Sequence, residues 1–171
     1  MAPILKSALP IAIGGFASVF LFNVDIVMLG WWRGADEIGF YSAAQKIVGM
    51  LAIFSGFISV ATFPSLSRFA HSDSWQEIKK LAETSLKMIF IVALPLVLGG
   101  VVLKDSLIEF VFGADYLPAA DTFAILLFSI LAVHPLPIYS NILFAFDRQA
   151  KLINYAIIAS VCNVAFNFIL I

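Results

Sequence analysis

The sequence predicts an all-α fold, a polytopic transmembrane helix bundle of about five spans, and three observations carry that reading. Five stretches hold no charged side chain: Ser7–Val24, Ile47–Ser67, Met88–Leu103, Thr122–Phe146 and Leu152–Ile171. A helix needs about 20 mostly apolar residues to cross the hydrocarbon core of a bilayer. Four of the stretches reach or approach that length unaided, and the third does so once Ser85–Lys87 is allowed to reach the interface. Hydrophobic residues make up 62% of the chain and charged ones 12%, with a mean hydropathy of +1.03, whereas a soluble domain is roughly a quarter charged. A chain of 171 residues also has too little interior to hide five helices that are apolar all round.

Other classes are excluded on the same grounds. Barrel strands would show segments of about ten residues alternating in hydrophobicity. A formal charge of −1 argues against nucleic acid as a partner, since phosphate binding needs a basic face. The lone Cys162 lies inside the last apolar run and reads as a small core residue. The first run is too long for the h-region of a cleaved signal peptide and ends in Trp31-Trp32, a pair suited to the membrane interface.

We read the chain as a single transmembrane region, 1–171, with spans near 8–32, 40–63, 85–103, 119–145 and 151–171. Lys6, Arg68, Lys79, Lys80, Lys87, Arg148 and Lys151 then collect on one side, and only Arg33 and Lys104 on the other. The positive-inside rule makes the amino terminus cytoplasmic.

Four of the spans carry polar residues that need an explanation, because ionisable groups in a bilayer are costly and usually face a cavity or another helix. In the first span Asp25 lies beyond Ser18 and Gly14, whose small-x-x-x-small spacing favours packing against protein. Asp25 is either hydrated near the outer interface or a cavity carboxylate that binds a cation or proton. The second span carries Ser42, Lys46, Gly49, Gly56 and Ser59, read as a stripe along one face. Lys46 snorkels outward, offers its charge to an anionic substrate, or pairs with Asp25.

Between the second and third spans, Ser74 and Glu77 form a capping-box pattern. Trp75, Ile78, Leu81 and Ala82 follow at helical spacing, which predicts a cytoplasmic amphipathic helix near 74–84 running into the third span. The fourth span contains His134-Pro135-Leu136-Pro137. Each proline removes a backbone donor and crowds the preceding turn, so the helix should kink there, and His134 and Asn141 should share a face near the break. The kink is a packing feature, a hinge at Pro135 and Pro137, or a substrate contact. In the fifth span Ser160, Asn163 and Asn167 share a face suited to interhelical hydrogen bonds. The sequence holds no metal-ligand spacing, no nucleophile with a base and no phosphate-cradling loop, so neither an enzyme, a cofactor nor a metal site is expected.

Several short motifs resemble one family. Ile38-Gly39-Phe40-Tyr41-Ser42-Ala43-Ala44 is similar to the recurrent G-x-Y-x-x-A of polysaccharide and lipid-linked oligosaccharide flippases. Phe63-Pro64-Ser65-Leu66-Ser67 resembles their P-x-L-S exit, and Phe112-Gly113-Ala114-Asp115-Tyr116-Leu117-Pro118-Ala119-Ala120 their F-G-x-x-Y-x-x-A stretch. Asn163 and Asn167 match an asparagine pair in the helix that follows.

The chain thus resembles the O-antigen (Wzx-like) flippases of the multidrug/oligosaccharidyl-lipid/polysaccharide exporter superfamily. What the resemblance implies is a transporter of 12–14 helices in two lobes that works by alternating access in a bacterial inner membrane. This chain would be the first five helices of the second lobe, with the first lobe missing. The implied partners are a lipid-linked oligosaccharide, membrane lipids, that missing lobe and a polysaccharide polymerase. The candidate cavity residues are Asp25, Ser42, Lys46, His134, Asn141, Asn163 and Asn167. A cation-coupled multidrug exporter of the same superfamily and a non-transporting membrane subunit remain the alternatives.

Overall fold

The computed structural model describes residues 23–148 and 150–170. Lys6, the Gly14 and Ser18 pair and the beginning of the expected first span lie outside these residues. Among the described residues there are helices and no strands. They are α1 (23–32), α2 (Ala35–Leu51), α3 (Ile53–His71), α4 (Trp75–Val102), α5 (Lys104–Phe112), a 3-10 turn at Ala114–Tyr116, α6 (Ala119–Val133), α7 (Leu136–Ala145) and α8 (Ala150–Leu170).

Three helical stretches are long and apolar enough to cross a membrane: Ala35–His71, Trp75–Val102 and Ala119–Ala145, with a shorter apolar helix at Asn154–Ile169. Their outward faces carry Phe57, Val60, Ile91, Leu98 and Ile125, all exposed. Large apolar side chains over that much surface suit lipid as the surrounding solvent. The chain is an all-α membrane helix bundle.

By its internal packing the chain divides into two units, one of residues 1–38 with 150–171 and the other of residues 39–149. The described part of the first unit consists of α1, the start of α2 and α8. Trp32 and Phe168 meet edge to face there, with ring centroids 5.0 Å apart.

The second unit has two packing groups. One is a buried cluster in which Ala44 of α2, Ala93 and Val97 of α4, Ile108 of α5, and Phe123 and Leu127 of α6 interlock. The other consists of α3 lying along α7 and against α4. Small residues allow the close approach that membrane helices use in place of a hydrophobic drive. At Gly100 the approach is tightest, since an added Cβ would stand 2.7 Å from Leu127 Cδ1.

Three local features differ from the sequence reading. Ser74 precedes α4, but its hydroxyl is engaged with that of Ser72 at 3.1 Å and makes no cap to the helix. The capping box therefore does not form. Residues 75–102 are one uninterrupted helix, so the amphipathic stretch and the apolar stretch share an axis. The stripe from Ser42 to Ser59 does not stay on one face. Lys46 and Gly49 are exposed while Ser59 is buried, because 17 residues at about 100° each leave Ser59 about 100° away from Ser42 on a regular helix.

At the far end of α4, the Lys104 ammonium at the start of α5 donates to Asp121 in the first turn of α6. That hydrogen bond raises the Lys104 pKa above its ordinary 10.5, against a smaller lowering by burial. The ammonium holds its proton more tightly in the folded chain than in the unfolded one. The stabilising contribution is therefore complete below the ordinary value and is lost as pH rises through the raised one. Thermal unfolding in detergent across the alkaline range should show native protein losing stability more steeply than Lys104→Gln. Parallel curves would show that the pair does not contribute.

Candidate functional site

In the first unit, α1 and α8 bring three polar side chains together. Asn167 Nδ2 donates to Asp25 Oδ1 at 2.6 Å and to Asn163 Oδ1 at 3.2 Å, with Met28 Sδ at 3.7 Å. Asp25 and Asn167 are 142 positions apart. The heptad-like spacing that sets Ser160, Asn163 and Asn167 on one face explains why α8 presents both amides together. Ser160 bonds back to the Ala156 carbonyl. The Asn167 amide thus donates both to the half-buried Asp25 carboxylate and to the Asn163 amide oxygen, and a carboxylate held in this way can take up a proton. Cys162 on the same helix is exposed.

In the second unit, Asn141 of α7 donates from Nδ2 to both the backbone oxygen and the hydroxyl of Ser59, each at 2.8 Å. Sequence reasoning placed both residues on polar faces but could not pair them, because their separation is 82 positions. His134 falls between α6 and α7, where Pro135 starts the next helix. It is 5% exposed and lines a small recess with Leu51, Phe54, Val92 and Leu96. His134 and Asn141 thus have different surroundings, the first an apolar recess and the second the α3 backbone.

Ser42 is half-buried on α2, and Lys46 is exposed one turn on, with no ion pair among the described residues of its unit. Pro135 is buried and Pro137 half-buried at the α6–α7 junction. Among the described residues no cluster of histidine, cysteine and acidic side chains could hold a metal ion.

The recurrent motifs meet in space. Tyr116 stacks edge to face on Phe40 at 5.8 Å and lies against Phe112 at 5.5 Å. Its hydroxyl is the atom nearest to where a side chain on Gly39 would begin. Gly113 adopts φ 91° and ψ 169° between α5 and the 3-10 turn, a conformation open almost only to glycine. The glycines and aromatics of the two motifs are therefore packing residues at one end of the second unit.

Residues 1–121 match the family described as polysaccharide biosynthesis protein. The chain belongs to that family. Among similar polysaccharide biosynthesis proteins and related transporters, a Haloferax volcanii protein named as a low-salt glycan biosynthesis flippase, Agl15, is 23% identical over 94% of this chain and 33% of its own length. A Shigella flexneri protein named as an O-antigen transporter is 31% identical over 48% of this chain and 19% of its own. The teichuronic acid biosynthesis protein TuaB of Bacillus subtilis is 28% identical over 61% and 21%. This chain spans about a third of the length of the first relative and about a fifth of the other two. No solved structure matches it. The relatives and the apolar helices together support a multi-pass membrane protein of this polysaccharide biosynthesis family.

Proposed function

We propose that the chain is part of a flippase that moves a lipid-linked oligosaccharide across the inner (plasma) membrane for surface polysaccharide assembly, by alternating access and with its amino terminus cytoplasmic. The observation that carries this reading is the match across nearly the whole chain to a relative named as a glycan biosynthesis flippase. The substrate class enters by that analogy, since fold alone does not imply function. Lys46, exposed and the one basic residue of α2, suits an anionic diphosphate headgroup as a point charge. Asp25 with Asn163 and Asn167 is the proposed seat of a coupling proton or cation. Ser42, His134 and Asn141 are proposed to border the substrate path, with Pro135 and Pro137 as its hinge. Membrane lipids, a further helical lobe and a polysaccharide polymerase are the proposed partners.

Deleting the gene in its own cell tests the reading. Lipid-linked oligosaccharide should accumulate on the cytoplasmic leaflet while surface polysaccharide disappears, and the native gene should restore both. Normal surface polysaccharide with no accumulated intermediate would reject it.

A further inference from the structure

Three irregularities of the second unit lie at one level of the bundle. In the stretch Ala35–His71, the Ala52 amide bonds to the Gly49 carbonyl at 3.2 Å, a three-residue turn between α2 and α3, and the Ser55 hydroxyl caps the Ala52 carbonyl at 2.8 Å. In α4, Pro95 stands inside the helix. Between α6 and α7 the chain passes through His134 and Pro135, where the Ile138 amide makes another three-residue bond, to Pro135 at 3.1 Å. A proline cannot donate to the preceding turn, so Pro95 and Pro135 are points of low bending stiffness, and at Ala52 the three-residue turn interrupts the regular helical ladder.

The recess at His134 shows that the three are level. It is lined by Leu51 and Phe54 on either side of Ala52, by Val92 and Leu96 on either side of Pro95, and by His134 itself. The two packing groups also part here. The cluster of Ala44, Val97, Phe123 and Leu127 lies on one side, and α3 on α7, fastened by Ser59 and Asn141, on the other.

His134 is the one group in this layer whose charge can change. The α2–α3 stretch faces it with Leu51, Phe54, Ser55 and Ile58, and α4 with residues that are also uncharged, so no titratable side chain lines the recess with it. On its own stretch the next titratable group is Tyr139, which is exposed. Among the described residues its imidazole makes no hydrogen bond. The recess, about 10 Å³ and partly open, has room for no more than one water. A neutral ring fits such a site, whereas an imidazolium there lacks both a counter-charge and the solvation it needs.

We propose that the layer through Ala52, Pro95 and His134-Pro135 is a hinge of the second unit, and that a proton on His134 opens it by drawing water into the recess. The state that the proton favours is the one in which the ring is hydrated, and the bend at the three breaks makes the room. This inference concerns geometry alone, so it stands or falls separately from the transport reading.

The test places a cysteine at Ser55, which is 3% exposed, in a background with Cys162→Ser, and measures its reaction with a small water-borne thiol reagent. A second cysteine at the exposed turn, Ser72→Cys, normalises for the effect of pH on thiol chemistry. A closed layer with a minor open state of about 1% that rises to about 10% would speed labelling about tenfold. Between about pH 8 and about pH 5, either side of the ordinary imidazole value, Ser55→Cys should become faster relative to Ser72→Cys. With His134→Gln the ratio should stay at its alkaline value throughout, and with Pro135→Ala and Pro137→Ala the acid-induced rise should shrink. A ratio that ignores pH in the His134 protein would overturn the proposal. So would a rise that survives His134→Gln, or fast labelling of that variant at both pH values.

Discussion

Asp25→Asn should abolish surface polysaccharide while leaving the protein in the membrane at its native level. The substitution keeps the shape and an oxygen that still accepts from Asn167, so the α1–α8 contact survives. What it removes is the negative charge, and with it the ability to take up a proton or cation. Asn167→Ala is the matching control, because it deletes the 2.6 Å donor and keeps the carboxylate. Interhelical hydrogen bonds in membranes contribute about 0.6 kcal/mol on average and about 1.7 at most. Asn167→Ala should accordingly lower thermal stability slightly and leave part of the export. If Asp25→Asn cells make normal polysaccharide, the carboxylate is structural and the coupling role is wrong.

Gly100→Leu should be among the most damaging single changes to the fold. Already a methyl at this position would stand 2.7 Å from Leu127 Cδ1 and 3.4 Å from Cδ2. The Leu127 side chain is fully buried and lies inside the cluster that joins α2, α4, α5 and α6, so it has no open space to swing into. Overpacking of this kind costs about 1–3 kcal/mol for a few added methylenes. Gly100→Ala should reach the lower part of that range, and Gly100→Leu should exceed it and cut the yield of folded protein from membranes. Gly99→Ala is the internal comparison, since nothing stands near its would-be Cβ. Equal melting temperatures for the alanine variants at 99 and 100 would show that α4 and α6 separate without loss.

The membrane fold is legible in the sequence because a bilayer removes most of the choices. Runs such as Ile47–Ser67 and Thr122–Phe146 must satisfy their backbone internally, and a helix does that without knowledge of any other segment. The family motifs are legible for a related reason. Gly113 is tied to a backbone conformation, and Phe40, Phe112 and Tyr116 to one another, so their spacing is held by local geometry. The pairing of Ser59 with Asn141 is not legible, because it depends on how far α3 slides along α7, and no local rule sets that register. The Ser42-to-Ser59 stripe misleads for a simple reason: offsets that match a helical face over one or two turns accumulate an angular error over five. Ser74 misleads because its hydroxyl turns to the hydroxyl and carbonyl of Ser72 and away from the amides of the helix end that it would have to accept from. The candidate site was thus visible as residue types on faces, whereas its actual contacts, Asp25 with Asn167 and Asn141 with Ser59, needed the tertiary arrangement.

The stretch Ala35–His71 runs to 37 residues, or about 55 Å, where a hydrocarbon core takes about 30 Å. From Ala52 to its end at His71 the arm is about 28 Å long at 1.5 Å per residue. Leverage follows from that length. A tilt of about 10° at Ala52 would carry Pro64, about 18 Å along α3, through about 3 Å, and α7 is fastened to that part of the arm, at Ser59, through Asn141. A displacement at the pivot small enough to be absorbed by side-chain rotamers would in this way be magnified into a stroke of a few ångströms along α3.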